Sequence, residues 1–175
     1  LAEIAEGLSQ AAAVPGRFES IDAGQSFDVV VDYAHTPDAL ERVLDSSRSL
    51  MSESGKLIVV FGCGGDRDVQ KRQPMGEIAG AKADVVIITS DNPRSESGAE
   101  IAAQINAGVR ATDSHKVLCT ELDRRAAIGK AFSHAQLGDV VVIAGKGHES
   151  TQTIGTETFP FNDAQVAREL LGAQS

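Results

Sequence analysis

At 175 residues the chain can bury a substantial core without disulfides or metal, and it reads as one domain, or one domain with a trailing piece of another. A formal net charge of −9 and a pI near 4.8 exclude general affinity for nucleic acid or an anionic membrane. No apolar run reaches the roughly 18 residues of a membrane span, and no basic start with an apolar core marks a signal peptide. A cytoplasmic monomer is expected. Cys63 and Cys119 have no Cys or His partner at metal-ligand spacing and read as buried, reduced thiols. The opening at Leu1, without methionine and inside a helical pattern, predicts a piece of a longer polypeptide.

An alanine-rich helical pattern covers Leu1 to Ala13 and stops at Val14-Pro15-Gly16. Phe18 to Asp22 and Phe27 to Asp32 read as short strands around Ala23-Gly24-Gln25. Thr36-Pro37-Asp38-Ala39 opens a helix capped by Thr36, with Leu40, Val43, Leu44 and Leu50 as its apolar stripe. Lys56 to Phe61 is an apolar strand, followed by a helix from Pro74 to Ala83 and a strand from Asp84 to Thr89. A helix is expected over Gly98 to Val109, a strand over Lys116 to Cys119, a helix over Asp123 to Ala135 and a strand over Asp139 to Ala144. A hairpin of Thr151 to Ile154 with Thr156 to Phe159 precedes a last helix, Asn162 to Leu171. Apolar strands alternating with amphipathic helices predict an α/β, Rossmann-like fold: a mostly parallel sheet with helices on both faces and an antiparallel edge.

Three strand ends carry unusual polar sequence. After the first apolar strand comes Gly62-Cys63-Gly64-Gly65-Asp66-Arg67, which begins like a dinucleotide fingerprint. Its third glycine position is Arg67, so the fingerprint fails, and no phosphate loop of the G-x-x-x-x-G-K-[ST] kind occurs anywhere. Arg67, Lys71 and Arg72 instead set three cations near that strand end; a solvated basic loop is the alternative. Arg124 and Arg125 form a second local basic pair. Asp91-Asn92-Pro93-Arg94 follows the next strand; there Arg94 can grip a carboxylate through two parallel hydrogen bonds, and Asn92 can donate and accept. Asn-Pro is equally an ordinary turn signal. Gly145-Lys146-Gly147-His148-Glu149 is the third, with glycines that permit close approach and Glu149 suited to an ammonium. Cations and an anion at adjacent strand ends suit an amino acid with more than one charged end.

Val14-Pro15-Gly16-Arg17-Phe18-Glu19, Asp32-Tyr33-Ala34-His35-Thr36-Pro37-Asp38, Gly64-Gly65-Asp66-Arg67-Asp68, Asp91-Asn92-Pro93-Arg94 and Gly145-Lys146-Gly147-His148-Glu149, in this order and spacing, resemble the Mur ligase family. Within it the resemblance is to the members that add meso-diaminopimelate to UDP-N-acetylmuramoyl-L-alanyl-D-glutamate in peptidoglycan synthesis. It implies residues 1–13 as the end of a helix linking from a central domain and 14–175 as the C-terminal domain. It further implies that ATP phosphorylates the D-glutamate carboxylate and that the diaminopimelate amine attacks the acyl phosphate. ATP and Mg²⁺ would be held mainly by the central domain, whose phosphate loop, metal ligands and carbamylated lysine this chain lacks, so no catalytic residue and no metal ligand is expected here.

By the same resemblance Arg17, Asp32, Tyr33 and His35 face the nucleotide, and Arg67, Asn92, Arg94, Gly145 and Glu149 hold meso-diaminopimelate. Arg94 and Arg67 would take its distal carboxylate, and Glu149 with the Gly145 carbonyl its distal ammonium. Lysine, lacking that carboxylate, would leave desolvated arginines unpaired. The alternatives are another ligase of the family, adding lysine or extending folylpolyglutamate, and a metabolite-binding module without chemistry.

Overall fold

The computed structural model describes residues 14–113 and 115–172. The helix expected over Leu1 to Ala13 lies outside the described residues. A six-stranded sheet has the order β1-β2-β6-β3-β4-β5, built from β1 (Glu19–Ser20), β2 (Asp28–Asp32), β3 (Leu57–Phe61), β4 (Val85–Ile88), β5 (Val117–Thr120) and β6 (Val140–Ala144). All pairings are parallel except β1 with β2, which forms the antiparallel edge. Among the described residues five helices cover it: α1 (Pro37–Arg48), α2 (Arg72–Lys82), α3 (Gly98–Thr112), α4 (Arg124–His134) and α5 (Asp163–Gly172). A separate hairpin, β7 (Thr151–Ile154) with β8 (Glu157–Pro160), precedes α5. Among the described residues no helix is long and apolar enough to cross a membrane.

The central strands are apolar throughout because both of their faces are covered. Alternate residues of each strand feed two cores. Val30, Val59, Phe61, Val86, Ile88 and Val142 pack with Leu40, Val43 and Leu44 of α1, Met75 and Ala79 of α2, and Ile101 and Ile105 of α3. Their neighbours Val29, Val31, Ile58, Val60, Ile87 and Val141 pack with Ala127, Ile128 and Phe132 of α4 and Ala167 and Leu171 of α5. The α/β class and the antiparallel edge match the sequence reading.

The chain leaves β2, crosses past the β6 position to β3, runs outward to β5, and returns to insert β6 between β2 and β3. Strand order therefore reverses at the centre of the sheet. In open α/β sheets a crevice forms there, beyond the carboxyl ends of the strands.

Several boundaries differ from expectation. β1 is shorter than Phe18 to Asp22, because Phe18 takes a positive φ of 47° and gives its N–H to Asp32 Oδ2 at 2.7 Å instead of to a strand partner. Leu50 is 45% exposed and lies past the end of α1, outside its buried stripe. α2 opens at Arg72, two residues before Pro74; proline is tolerated there because the first-turn N–H groups have no intrahelical partner. Thr36 caps α1, accepting from the Ala39 N–H, as its sequence predicts. Cys63 is buried and its thiol is pushed up to about 12 by desolvation, whereas Cys119 is only partly buried, contrary to expectation; both are free.

Candidate functional site

At the carboxyl ends of β2, β3, β4 and β6 lies a cavity of about 320 Å³. β2 leads to Tyr33, His35 and Thr36, and β3 to Gly64, Arg67, Asp68 and Lys71. β4 contributes Asp91, Asn92 and Arg94, and β6 contributes Gly145 and Glu149. Its size is at the small end of the range for small-molecule sites. A larger groove of about 580 Å³, lined by Leu118, Cys119 and Lys130 among others, lies along the outer strand β5 and gathers none of these strand ends.

The loop after β4 is held by its neighbours. Arg94, at φ 52°, donates from Nη1 to Gly65 O at 2.8 Å and weakly to Asn92 O at 3.4 Å, which leaves Nε and Nη2 without a partner among the described residues. The hairpin pins this loop from outside. Arg94 N–H bonds Thr153 O, Gly155 N–H bonds Arg94 O, and Gln152 Nε2 bonds Asp91 O at 2.8 Å. Asn92 Oδ1 accepts from Thr153 N–H at 2.9 Å and from Lys146 Nζ at 3.2 Å, while its Nδ2 donates to Glu149 Oε2 at 3.0 Å.

Asp91 is 7% exposed, lines the cavity, and makes no side-chain hydrogen bond among the described residues. The buried Arg124 feels its charge, and the Asp91 oxygens, free of hydrogen bonds among the described residues, are available in the cavity to a cationic ligand group. Glu149 is placed differently. Burial opposes its ionisation, but the hydrogen bond and charge of Lys146, aided by Asn92 and Arg94, outweigh it and hold the carboxyl below its ordinary range. Both Lys146 and Asn92 engage Oε2, and Oε1 has no partner among the described residues.

Gly145 and Gly147 are both required here. Gly145 has a φ of 116°, and a Cβ on it would stand 2.9 Å from Asp91 Oδ2. Gly147, at φ 51°, would place a Cβ 2.6 Å from Gly16 O and 2.7 Å from Tyr33 Cβ. The second glycine thus serves close packing of three chain segments, where the sequence suggested ligand approach.

The expected nucleotide-facing residues are gathered only in part. Tyr33 and His35 line the cavity, their rings 4.4 Å apart, and the exposed Arg17 lies with its guanidinium 4.7 Å over the Tyr33 ring. Asp32 does not line it. Its carboxylate accepts from Phe18 N–H at 2.7 Å and Ala34 N–H at 2.8 Å, shaping the backbone around Tyr33. All five residues expected for the amino acid, Arg67, Asn92, Arg94, Gly145 and Glu149, share the cavity.

Two cations of the local basic clusters, read from sequence as suited to an anionic ligand, are internal struts. Arg72 is 1% exposed and forks onto Glu96 at 2.9 Å through both terminal nitrogens, with Gly64 O at 3.2 Å, so it ties the glycine loop to the segment after Arg94. It faces Glu96 because that carboxylate neutralises it in the interior, and it is not one of the cavity's cations. Arg124, likewise buried, forks onto Asp163 at 2.8 Å twice and reaches Ala144 O at 3.0 Å and Ser90 O at 3.3 Å. It therefore braces the exits of β4 and β6.

Asp91 and Lys71 also line the cavity, although the sequence reading placed them at polar strand ends without giving either a ligand contact. Asp91 was visible as an acidic residue closing a buried strand, and Lys71, whose Nζ donates to His35 O at 2.8 Å, as the cation next to Arg72. Among the described residues no group of three or more His, Cys, Asp or Glu side chains could hold a metal ion.

A mostly parallel sheet whose strand-order reversal carries a small cavity lined by guanidinium and carboxylate groups defines an α/β domain of the open-sheet class, in which ligand crevices lie at such a reversal. The chain belongs to the Mur ligase family: residues 16–147 match its profile "Mur ligase, glutamate ligase domain". It is 50% identical over 170 residues to the UDP-N-acetylmuramoyl-L-alanyl-D-glutamate–2,6-diaminopimelate ligase of Bacillus licheniformis, covering 97% of this chain and 34% of that one. The Alkaliphilus metalliredigens ligase of the same name is 49% identical over 168 residues, 95% of this chain and 33% of that one. A solved structure of a ligase with that name superposes with a TM-score of 0.84 at 42% identity, covering 97% of this chain and 34% of the other. A Mycobacterium tuberculosis folylpolyglutamate synthase complexed with ADP and AMPPCP shares the fold, with a TM-score of 0.61 at 22% identity over 93% of this chain and 33% of its own. The chain thus spans about a third of the relatives it matches.

Proposed function

We propose that this chain is the C-terminal, amino-acid-binding domain of an ATP-dependent ligase that joins meso-diaminopimelate to UDP-N-acetylmuramoyl-L-alanyl-D-glutamate. Residues 1–13 would then end a helix from the preceding domain. The observation that carries the reading is one cavity holding unpartnered nitrogens of Arg94 beside Arg67, together with the Asp91 carboxylate, which makes no hydrogen bond among the described residues, and Glu149 Oε1. Two arginines suit the distal carboxylate, and two carboxylates suit an ammonium. L-lysine would leave the guanidinium groups desolvated and unpaired, which disfavours it.

Arg17, Tyr33 and His35 form the aromatic and cationic surface that would meet the nucleotide, and Asp32 would shape it through Phe18 and Ala34. ATP and Mg²⁺ would be gripped by the two thirds of the relatives' length that this chain does not span. When bound there, ATP would supply the phosphoryl group that activates the D-glutamate carboxylate of the UDP-dipeptide as an acyl phosphate; this chain's residues would orient the attacking amine. The close similarity to relatives bearing the diaminopimelate name supports this substrate over folylpolyglutamate or lysine. The test is a ligation assay of the full-length protein with ATP and the UDP-dipeptide. Amide formation with meso-diaminopimelate and not with L-lysine is expected; preference for lysine would refute the substrate assignment.

A further inference from the structure

Lys146 is fully buried, does not line the cavity, and meets two side chains: Asn92 Oδ1 at 3.2 Å and Glu149 Oε2 at 3.0 Å. An ammonium so far from water persists only when paired. Its contacts remove a freedom from each partner. An ammonium only donates, and so does the Thr153 N–H at 2.9 Å on the same Asn92 atom. Two donors on one atom require that atom to be the amide oxygen, which fixes the flip of Asn92. The amide nitrogen is thereby committed to Glu149 Oε2 at 3.0 Å. With Oε2 engaged by both Lys146 and Asn92, Oε1 is the oxygen left for a ligand.

We propose that Lys146 is a positioning residue of the amino-acid site, setting the Asn92 amide and the Glu149 carboxylate so that Oε1 meets the ligand's ammonium without Lys146 touching the ligand. This rests on the cavity being the amino-acid site. Removing Lys146 leaves Asn92 Oδ1 with the Thr153 N–H alone and Glu149 without its counter-charge, so Oε2 is no longer held away from the ligand and the loss falls on the amino acid and not on the nucleotide. Lys146 and Glu149 then act as one unit, and such residues are non-additive.

In the full-length ligase, the KM for meso-diaminopimelate, ATP and the UDP-dipeptide is measured for wild type, Lys146→Met, Glu149→Gln and the double variant. Lys146→Met should raise the KM for diaminopimelate about tenfold or more, the scale of a lost charge-assisted hydrogen bond, with the other two KM values within about threefold. The double variant should be no worse than Glu149→Gln alone. That last comparison stands even if Lys146→Met does not fold, because the double variant leaves no orphan charge. A wild type that ligates no diaminopimelate overturns the substrate reading and this proposal with it. A wild type that does, with Lys146→Met raising all three KM values alike or the double variant falling a further tenfold below Glu149→Gln, overturns the role of Lys146 alone.

Discussion

Replacing Arg94 by Lys keeps the charge and removes the fork, which isolates what the guanidinium geometry contributes. Both side chains meet the same strain at a φ of 52°, so the backbone contribution cancels. In the structure Nη1 is engaged with Gly65 O at 2.8 Å, and the nitrogens left for a ligand are Nε and Nη2. A lysine ammonium in that place has three donors on one atom and cannot hold the Gly65 carbonyl and also present two parallel N–H bonds to the ligand's distal carboxylate. One charge-assisted hydrogen bond is lost, about 1.5–3 kcal/mol, or roughly 10- to 150-fold in affinity. The KM for meso-diaminopimelate in the full-length ligase should rise by that factor. L-lysine has no distal carboxylate, so its poor turnover should move by no more than about threefold. The readout is the ratio of kcat/KM for the two amino acids, measured by product formation with ATP and the UDP-dipeptide saturating. An unchanged ratio would refute the assignment of Arg94 to the distal carboxylate.

Three further outcomes follow from the struts and loops around the cavity. Asp163→Ala strands the buried Arg124 and should cost about 3–5 kcal/mol in chemical denaturation, with much of it regained in Arg124→Met/Asp163→Leu; a loss under about 1 kcal/mol would mean that the pair is solvated. Gly147→Ala forces a side chain into φ 51° against Gly16 O and Tyr33, so a loss of at least about 2 kcal/mol and a raised KM for ATP are expected, and a neutral variant would contradict that packing. Glu149 is held below its ordinary 4.5, so the unfolded chain takes up its proton first as pH falls. Its contribution to stability is therefore complete above that value and lost as pH falls through the folded-state value; wild type should lose more stability on acidification than Glu149→Gln, and parallel profiles would contradict the pairing with Lys146.

The parallel sheet was legible because β3, β4 and β6 are uninterrupted apolar runs, a pattern that follows from burial on both faces. Thr36-Pro37 announced α1 for equally local reasons. The shortening of β1 was not legible, since Phe18 is drawn out of the strand by Asp32, 14 residues away. The site was legible as three polar strand ends that the sheet must bring side by side. What each charge does there was less so. Arg72 finds Glu96 24 residues away and Arg124 finds Asp163 39 residues away, and nothing in the neighbourhood of either arginine distinguishes an internal strut from a ligand contact. Asp91 shows the converse: in sequence it is an acidic residue closing a buried strand, and only the fold shows that it lines the cavity without a side-chain hydrogen bond among the described residues.

The most direct measurement is an amide-shift titration of the 175-residue chain with meso-diaminopimelate, with L-lysine as the control. Shifts that saturate with diaminopimelate alone and centre on Asp91, Asn92, Arg94, Gly145 and Glu149 are the predicted result. Equal shifts with lysine, or shifts centred on the groove along β5, would contradict it.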